Sequence, residues 1–222
     1  MRGTKQRKDW ADAMTEEIKY ASVDVDSLEF LKAIYFGAES SLYSAAANRA
    51  YLDMNRTIRF NGLDEKKRKE LHDFVCDLLK MGIKKVEANP PRSQGQYDAW
   101  HCSTCKLIQK EYTDVGICFF IGQSQKWLNM TMKYLYIIGA CDFDGYFEFL
   151  HIPLDNYIFD ISKRELAVSR PERAWSRMEN YEEEYLAYEK KLREAIKGMA
   201  PLRWEFRAWL KEARNRTQQC AQ

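Results

Sequence analysis

The sequence predicts an all-α fold, on three observations. Apolar residues recur three and four positions apart through most of the chain, the period of a single helix face. No segment alternates apolar and polar residues with enrichment in β-branched types, as a half-buried strand would. Capping residues, glycines and prolines punctuate the chain at helix-length intervals. Its 222 residues suit one large domain or two small helical lobes.

Residues 1–9 are basic and expected to be mobile. A helix is expected from Trp10 to Tyr20. Asp24, Asp26 and Ser27 offer N-caps for a second, running through Ile34. Ser40 to Phe60 reads as one alanine-rich helix, with Tyr43, Ala47, Ala50, Tyr51 and Met54 at helical spacing and Asn61-Gly62 ending it. Asp64 caps a strongly charged helix whose buried stripe is Leu71, Phe74, Val75, Leu78 and Leu79, and Gly82 is expected to stop it. Lys66, Lys67, Arg68 and Lys69 on that helix read as a solvated face, with phosphate contact as the lesser reading. Asn89-Pro90-Pro91-Arg92 is the clearest break. It divides an N-terminal helical lobe, 1–90, from a second lobe, 91–222. Residues 96–112 form the next helix.

The stretch from Gly122 to Asp155 carries the chemistry. Gly122-Gln123-Ser124-Gln125-Lys126 reads as a tight turn opening a helix that runs to about Ile138 and is apolar on most sides. Such a helix is usually buried. Lys126, Asn129 and Lys133 share one of its faces. That polar stripe is either a solvated edge or the lining of a pocket. In a pocket, desolvation would lower a lysine pKa and make the amine a nucleophile. After a loop marked by Gly139, Asp142, Asp144 and Gly145, Asp155 stands at the start of another helix as its N-cap. Arg170-Pro171 breaks that helix. A long helix from Asn180 to Lys197 follows, with Tyr181, Tyr185, Tyr188 and Leu192 inward, and Gly198 and Pro201 set off a last one.

Gly122-x-Ser124-x-Lys126 resembles the hairpin of the helix-hairpin-helix DNA glycosylases, and Pro153-Leu154-Asp155 resembles the segment carrying that family's catalytic aspartate. Gln125-Lys126, Lys133 and Ile152-Pro153-x-Asp155 are similar in order and spacing to the archaeal 8-oxoguanine glycosylases of that superfamily. The likeness covers about 35 residues. Ser124 replaces the second hairpin glycine, and Phe119-Phe120-Ile121 stands where a Leu-Pro-Gly would precede the turn. The resemblance implies a two-lobed helical bundle with its site in the cleft between lobes. It implies double-stranded DNA with a damaged or modified base as partner, 8-oxoguanine or a phage base such as glucosylated hydroxymethylcytosine, the latter giving an antiphage role. It makes Lys126 the nucleophile, forming a Schiff base that permits strand cleavage as a second step, and Asp155 the carboxylate that stabilises the developing charge on the sugar or activates the attacking group. Gly122, Gln123, Ser124 and Gln125 would contact the DNA backbone. Lys133, Asn129, Trp127, Trp100, His151 and Phe119 would surround the extruded base, although ordinary core is the simpler reading of these aromatics. Lys133 could instead partner Asp155 or be the nucleophile itself.

The rival reading is a non-catalytic helical module that binds nucleic acid or protein. Bulk properties decide little between the two. Lys plus Arg outnumber Asp plus Glu by 35 to 33, which neither demands nor excludes nucleic acid. No phosphate-binding glycine loop and no Ser/His/Asp order is present. His101-Cys102-Ser103-Thr104-Cys105 supplies two thiols where zinc needs about four ligands. A metal-dependent hydrolase built on it is the weakest alternative, and we expect no metal and no cofactor. The six cysteines form no secreted framework, and no signal peptide or bilayer-length apolar run is read. The expectation is a cytoplasmic monomer that does not contact membranes.

Overall fold

The computed structural model describes residues 24–37 and 41–220, whose regular elements are all helices, with no strand among them. The expected helix from Trp10 to Tyr20 lies outside the described residues. The chain divides after Gly37 into two units. In the first, α1 (Val25–Phe36) starts where the Asp24 carboxylate accepts from the Ser27 N–H at 2.9 Å.

The second unit holds the remaining helices. Ser41 caps α2 (Leu42–Met54). This helix is shorter than its alanine-rich pattern suggests, because a 3-10 turn over Asn55–Thr57 tightens its end and the Thr57 hydroxyl bonds the Met54 carbonyl. Ala45, Ala46, Ala47 and Ala50 are all buried, and their small side chains bring the α2 backbone close to its neighbour. Asp64 caps α3 (Glu65–Ala88), its carboxylate accepting from the Lys67 N–H. Gly82 does not stop α3. Ile83 and Val86 continue the buried stripe past it, and that burial outweighs the propensity cost of about 1 kcal/mol for one helical glycine. Phe74, expected within the stripe, is 53% exposed. Of the basic run, Lys66, Lys67 and Lys69 pair with Glu70, Asp64 and Asp73 on the surface, so it is a solvated face.

Ser93 caps α4 (Gln94–Asp114), so the double-proline break is a short connection between two long helices. Then comes α5 (Ile121–Ile137), the centre of the unit: only Lys133, Tyr136 and Ile137 of its 17 residues escape burial. It packs on α2 and α4. Its start corrects the expectation of a turn over Gly122–Lys126. The Phe120 N–H is satisfied by the Gln123 side chain at 2.9 Å, so the helix opens at Ile121 and these residues form its first turns. Gly122 serves close packing here. A Cβ on it would lie 1.6 Å from the Trp175 carbonyl oxygen.

A loop with a 3-10 turn at Phe147–Phe149 leads to α6 (Asn156–Leu166), capped by Asp155 as expected. It ends at Ala167 in the left-handed region (φ 57°), before the Arg170-Pro171 break expected to stop it. A further 3-10 turn spans Trp175–Arg177. The single helix expected from Asn180 is a wide π turn (Tyr181–Leu186) flowing into α7 (Ala187–Ala195). Tyr181, Tyr185, Tyr188 and Leu192 point inward as expected. The last helix is α8 (Pro201–Cys220). Among the described residues no helix is long and apolar enough to cross a membrane.

Candidate active site

The site is built where α5 meets the extended segment Ile152-Pro153-Leu154. A buried extended segment needs a partner for each backbone N–H and C=O, and here side chains supply all of them. The Ile152 N–H donates to Glu189 Oε2 at 3.4 Å, and the Ile152 carbonyl accepts from Asn129 Nδ2 at 3.2 Å. Pro153 has no N–H, and its carbonyl accepts from Lys126 Nζ at 3.3 Å. The Leu154 N–H donates to Gln125 Oε1 at 3.2 Å, and its carbonyl accepts from Gln125 Nε2 at 3.0 Å. Helical spacing explains why Gln125, Lys126 and Asn129 can do this together: successive turns put them on one side of α5.

The segment delivers Asp155 to Lys126. Lys126 Nζ stands 2.6 Å from Asp155 Oδ2, while Asp155 Oδ1 accepts from the Ile158 N–H at 2.9 Å as the cap of α6. Both readings of Asp155, cap and partner of the lysine, are therefore realised on its two oxygens. Burial pushes the Asp155 carboxyl up, but the Lys126 ammonium at contact, the cap hydrogen bond and the more distant charge of Lys133 outweigh it and hold the group below the ordinary carboxylate value. The lysine side chain is 8% exposed and the aspartate 28%, so the carboxylate is the accessible end of the pair.

Behind the pair lies a buried polar layer. Asn129 Oδ1 faces His101 Nε2 at 2.8 Å, and Asn129 Nδ2 also reaches the Tyr185 hydroxyl at 2.8 Å. Because Asn129 Oδ1 only accepts, His101 carries its proton on Nε2, and Nδ1 accepts from the Tyr181 hydroxyl at 2.8 Å. His151 Nε2 donates to Asp98 Oδ1 at 2.8 Å, so its Nδ1 accepts from the Tyr185 hydroxyl at 2.8 Å. Burial pushes both imidazoles below the ordinary histidine value and keeps them neutral near pH 7. Glu189, fully buried, has its carboxyl raised to about 8, because burial outweighs the charge of Arg193 and the Ile152 N–H bond.

The other sequence candidates are distributed differently. Asn129 and His151 sit within one bond of the Ile152–Asp155 segment. Lys133 pairs with Glu205 of α8 at 2.6 Å and lies over the Phe206 ring, so it partners neither Asp155 nor the segment. Trp127 faces the opposite way, donating its indole N–H to the Ala47 carbonyl at 2.9 Å and packing on Tyr51. Phe119 stacks on Tyr112 with ring centres 4.1 Å apart. Both rings are core and present no surface to a base. Trp100, half-buried, contacts Tyr97. Gly122, Gln123, Ser124 and Gln125 are all buried, the three side chains at most 1% exposed. They make no hairpin and offer no surface to a DNA backbone, because the helix begins at Ile121 and buries all four: Gly122 packs on Trp175, and its N–H donates to the Met178 carbonyl at 3.1 Å. Gln123 instead reaches Thr57. Cys105 Sγ lies 3.6 Å from His101 Nδ1 and Cys102 turns to Glu182. Among the described residues no three His, Cys, Asp or Glu side chains are grouped to hold a metal ion.

Asp98, Tyr181, Tyr185 and Glu189 also belong to the site, with no sequence motif to mark them. Their signal was present as spacing: Tyr181, Tyr185 and Glu189 recur every fourth residue, and Asp98 precedes His101 by one turn. Tyrosines at helical spacing read as core, and it is their hydroxyls that matter. Compared with known proteins, the chain matches no family model, no curated protein and no solved structure.

Proposed function

We propose that the chain is a DNA glycosylase, which removes a damaged or modified base from duplex DNA with Lys126 as nucleophile and Asp155 as its proton-transfer partner. The observation that carries this reading is the 2.6 Å contact between Lys126 on α5 and Asp155 at the end of the segment that α5 side chains hold. A lysine against a carboxylate provides both halves of the chemistry: an amine to form the covalent bond and an oxygen to move its proton.

The target nucleotide is rotated out of the duplex. Asp155 takes a proton from the Lys126 ammonium. The free amine attacks the sugar C1′, the bond from C1′ to the base breaks, and the departing base keeps the electron pair and takes the proton from Asp155. A proton then passes from the new amine to the ring oxygen as the C1′–O4′ bond opens, leaving a protonated Schiff base. Water returns the lysine and an abasic site. The reading requires no metal and no organic cofactor, and one copy of the chain suffices. The substrate class is an 8-oxoguanine-like lesion or a bulky phage base such as glucosylated hydroxymethylcytosine.

Borohydride trapping on duplexes carrying each of those two bases tests it. Wild type is expected to give a covalent adduct, Lys126→Gln none, and Asp155→Asn a base-release rate lower by about 10²- to 10⁴-fold, the range for a lost acid–base group. A second reading, a non-catalytic helical module in which the pair is a clasp, is favoured by the burial of Lys126 at 6% exposure. It predicts no adduct from either duplex and lower stability in both variants.

A further inference from the structure

We infer that Gln125 is the positioning residue of this site: its carboxamide holds the Ile152–Leu154 backbone against α5 and so fixes where Asp155 meets Lys126. The catalytic meaning of this rests on the glycosylase reading, while the geometry stands without it.

Gln125 is fully buried, and its carboxamide is fully used. Nε2 donates to the Gly122 carbonyl at 2.9 Å and to the Leu154 carbonyl at 3.0 Å. Oε1 accepts from Asn129 Nδ2 at 3.1 Å and from the Leu154 N–H at 3.2 Å. Four bonds meet the amide's two donors and two lone-pair directions. Two of them go to the same residue, one given and one received, which is how a neighbouring β-strand would grip Leu154. Among the described residues there is no strand to do so. A leucine or methionine would fill the same space, so the amide is there for direction.

The leverage on Asp155 is short. Leu154 directly precedes Asp155, and Pro153 on its other side has its φ fixed by its ring. Beyond the clamp Asp155 is tied only to the first turn of α6, by its cap bond from the Ile158 N–H and by the Phe159 N–H, which donates to its carbonyl at 3.0 Å. Lys126, next in sequence to Gln125, bonds the Pro153 carbonyl between them. The lysine and the clamp thus leave adjacent positions of one rigid helix and reach adjacent peptides of one segment. Loss of the clamp lets the segment shift relative to the ammonium, and misplacement by about 1 Å is enough to lower a rate about 10²-fold.

The test uses the full chain with Gln125→Met, which keeps the volume and removes the amide. Gln109→Met is the control, because Gln109 also bonds a backbone carbonyl, that of Phe119 at 3.0 Å, away from the pair. Carbon-detected NMR titration of the Asp155 carboxyl reads the contact with no substrate. It is expected to rise in Gln125→Met, as the Lys126 charge withdraws, and to stay at the wild-type value in Gln109→Met. Single-turnover base release from the duplex that wild type cleaves should fall about 10- to 100-fold in Gln125→Met with duplex affinity unchanged. A folded Gln125→Met with the wild-type Asp155 titration overturns the inference. If circular dichroism shows that variant unfolded, hydrogen exchange in wild type decides: slow exchange of the Leu154 amide and the Gln125 side-chain amide supports the clamp, and fast exchange of both overturns it. Absence of base release by wild type would remove the glycosylase reading and leave the titration to decide the clamp.

Discussion

Replacing Gly122 by alanine separates two accounts of the Gly122-x-Ser124-x-Lys126 motif. In an exposed hairpin, the glycine would let a DNA backbone approach, and alanine would weaken DNA binding while leaving stability alone. In the structure it lets the protein's own backbone approach. The added Cβ would sit 1.6 Å from the Trp175 oxygen and 2.7 Å from its carbonyl carbon, where real Cβ contacts stay beyond 3.0 Å. Both offending atoms are backbone, so no rotamer change relieves them. The Trp175–Met178 segment must retreat by more than an ångström, about the shortfall itself, and doing so stretches the Gly122 N–H to Met178 bond of 3.1 Å. Overpacking contributes about 1–3 kcal/mol and the strained hydrogen bond about 1 kcal/mol. A loss near 3 kcal/mol corresponds to a melting point lower by about 6–12 °C for a chain of this size. Thermal melts followed by circular dichroism would measure it, with Gly82→Ala as reference. Nothing lies within 4 Å of a Cβ at Gly82, and that helical position should gain up to about 1 kcal/mol. If Gly122→Ala melts with wild type, the packing described at the start of α5 is wrong.

Two further outcomes follow from buried charge. Glu189 titrates near 8 in the folded protein against about 4.3 unfolded, so between those values the unfolded chain has lost a proton that the folded one keeps. The contribution of Glu189 to stability should therefore be fully present below about pH 4 and fall by about 1.4 kcal/mol per pH unit up to about pH 8; denaturant titrations across that range should show a flatter profile for Glu189→Gln. Lys133 and Glu205, with side chains 13% and 3% exposed, form a largely buried pair. Glu205→Leu should lose about 3–5 kcal/mol by stranding the ammonium, and the double change with Lys133→Met should recover much of that in urea unfolding. Equal losses in the single and double variants would deny the coupling.

Most helices were legible because their evidence is local. Asp24, Asp64 and Asp155 cap in the structure as their positions suggested, and the Tyr181-Tyr185-Tyr188-Leu192 period marked a true inner face. Boundaries failed where tertiary packing overrode a local signal. Gly82 looked like a stop until Ile83 and Val86 are seen buried beyond it, and Gly122 looked like a turn because nothing local reveals Trp175 against it. The approach of Lys126 to Asp155 followed from motif order, but the role of Gln125 did not. A glutamine beside a lysine gives no sign of which peptide, 29 residues on, it will grasp. The aromatic candidates follow the same rule: Trp127 sits beside the lysine in sequence, yet helix rotation turns it toward α2, and Phe119, ahead of the helix, stacks on Tyr112 of α4.

The wide turn at Tyr181–Leu186 holds one residue more than an α-helix would use over the same rise. Such bulges often mark sites under functional demand. Here the spare residue is what allows the Tyr181 and Tyr185 hydroxyls to address His101 and Asn129 at once. Deleting any one of Glu182, Glu183 or Glu184 would wind the turn tight and swing Tyr181 about 100° around the axis, away from its imidazole. Three exposed or half-exposed acidic residues thus matter through their number as well as through the pairs that Glu182 and Glu184 make with Lys106 and Arg173.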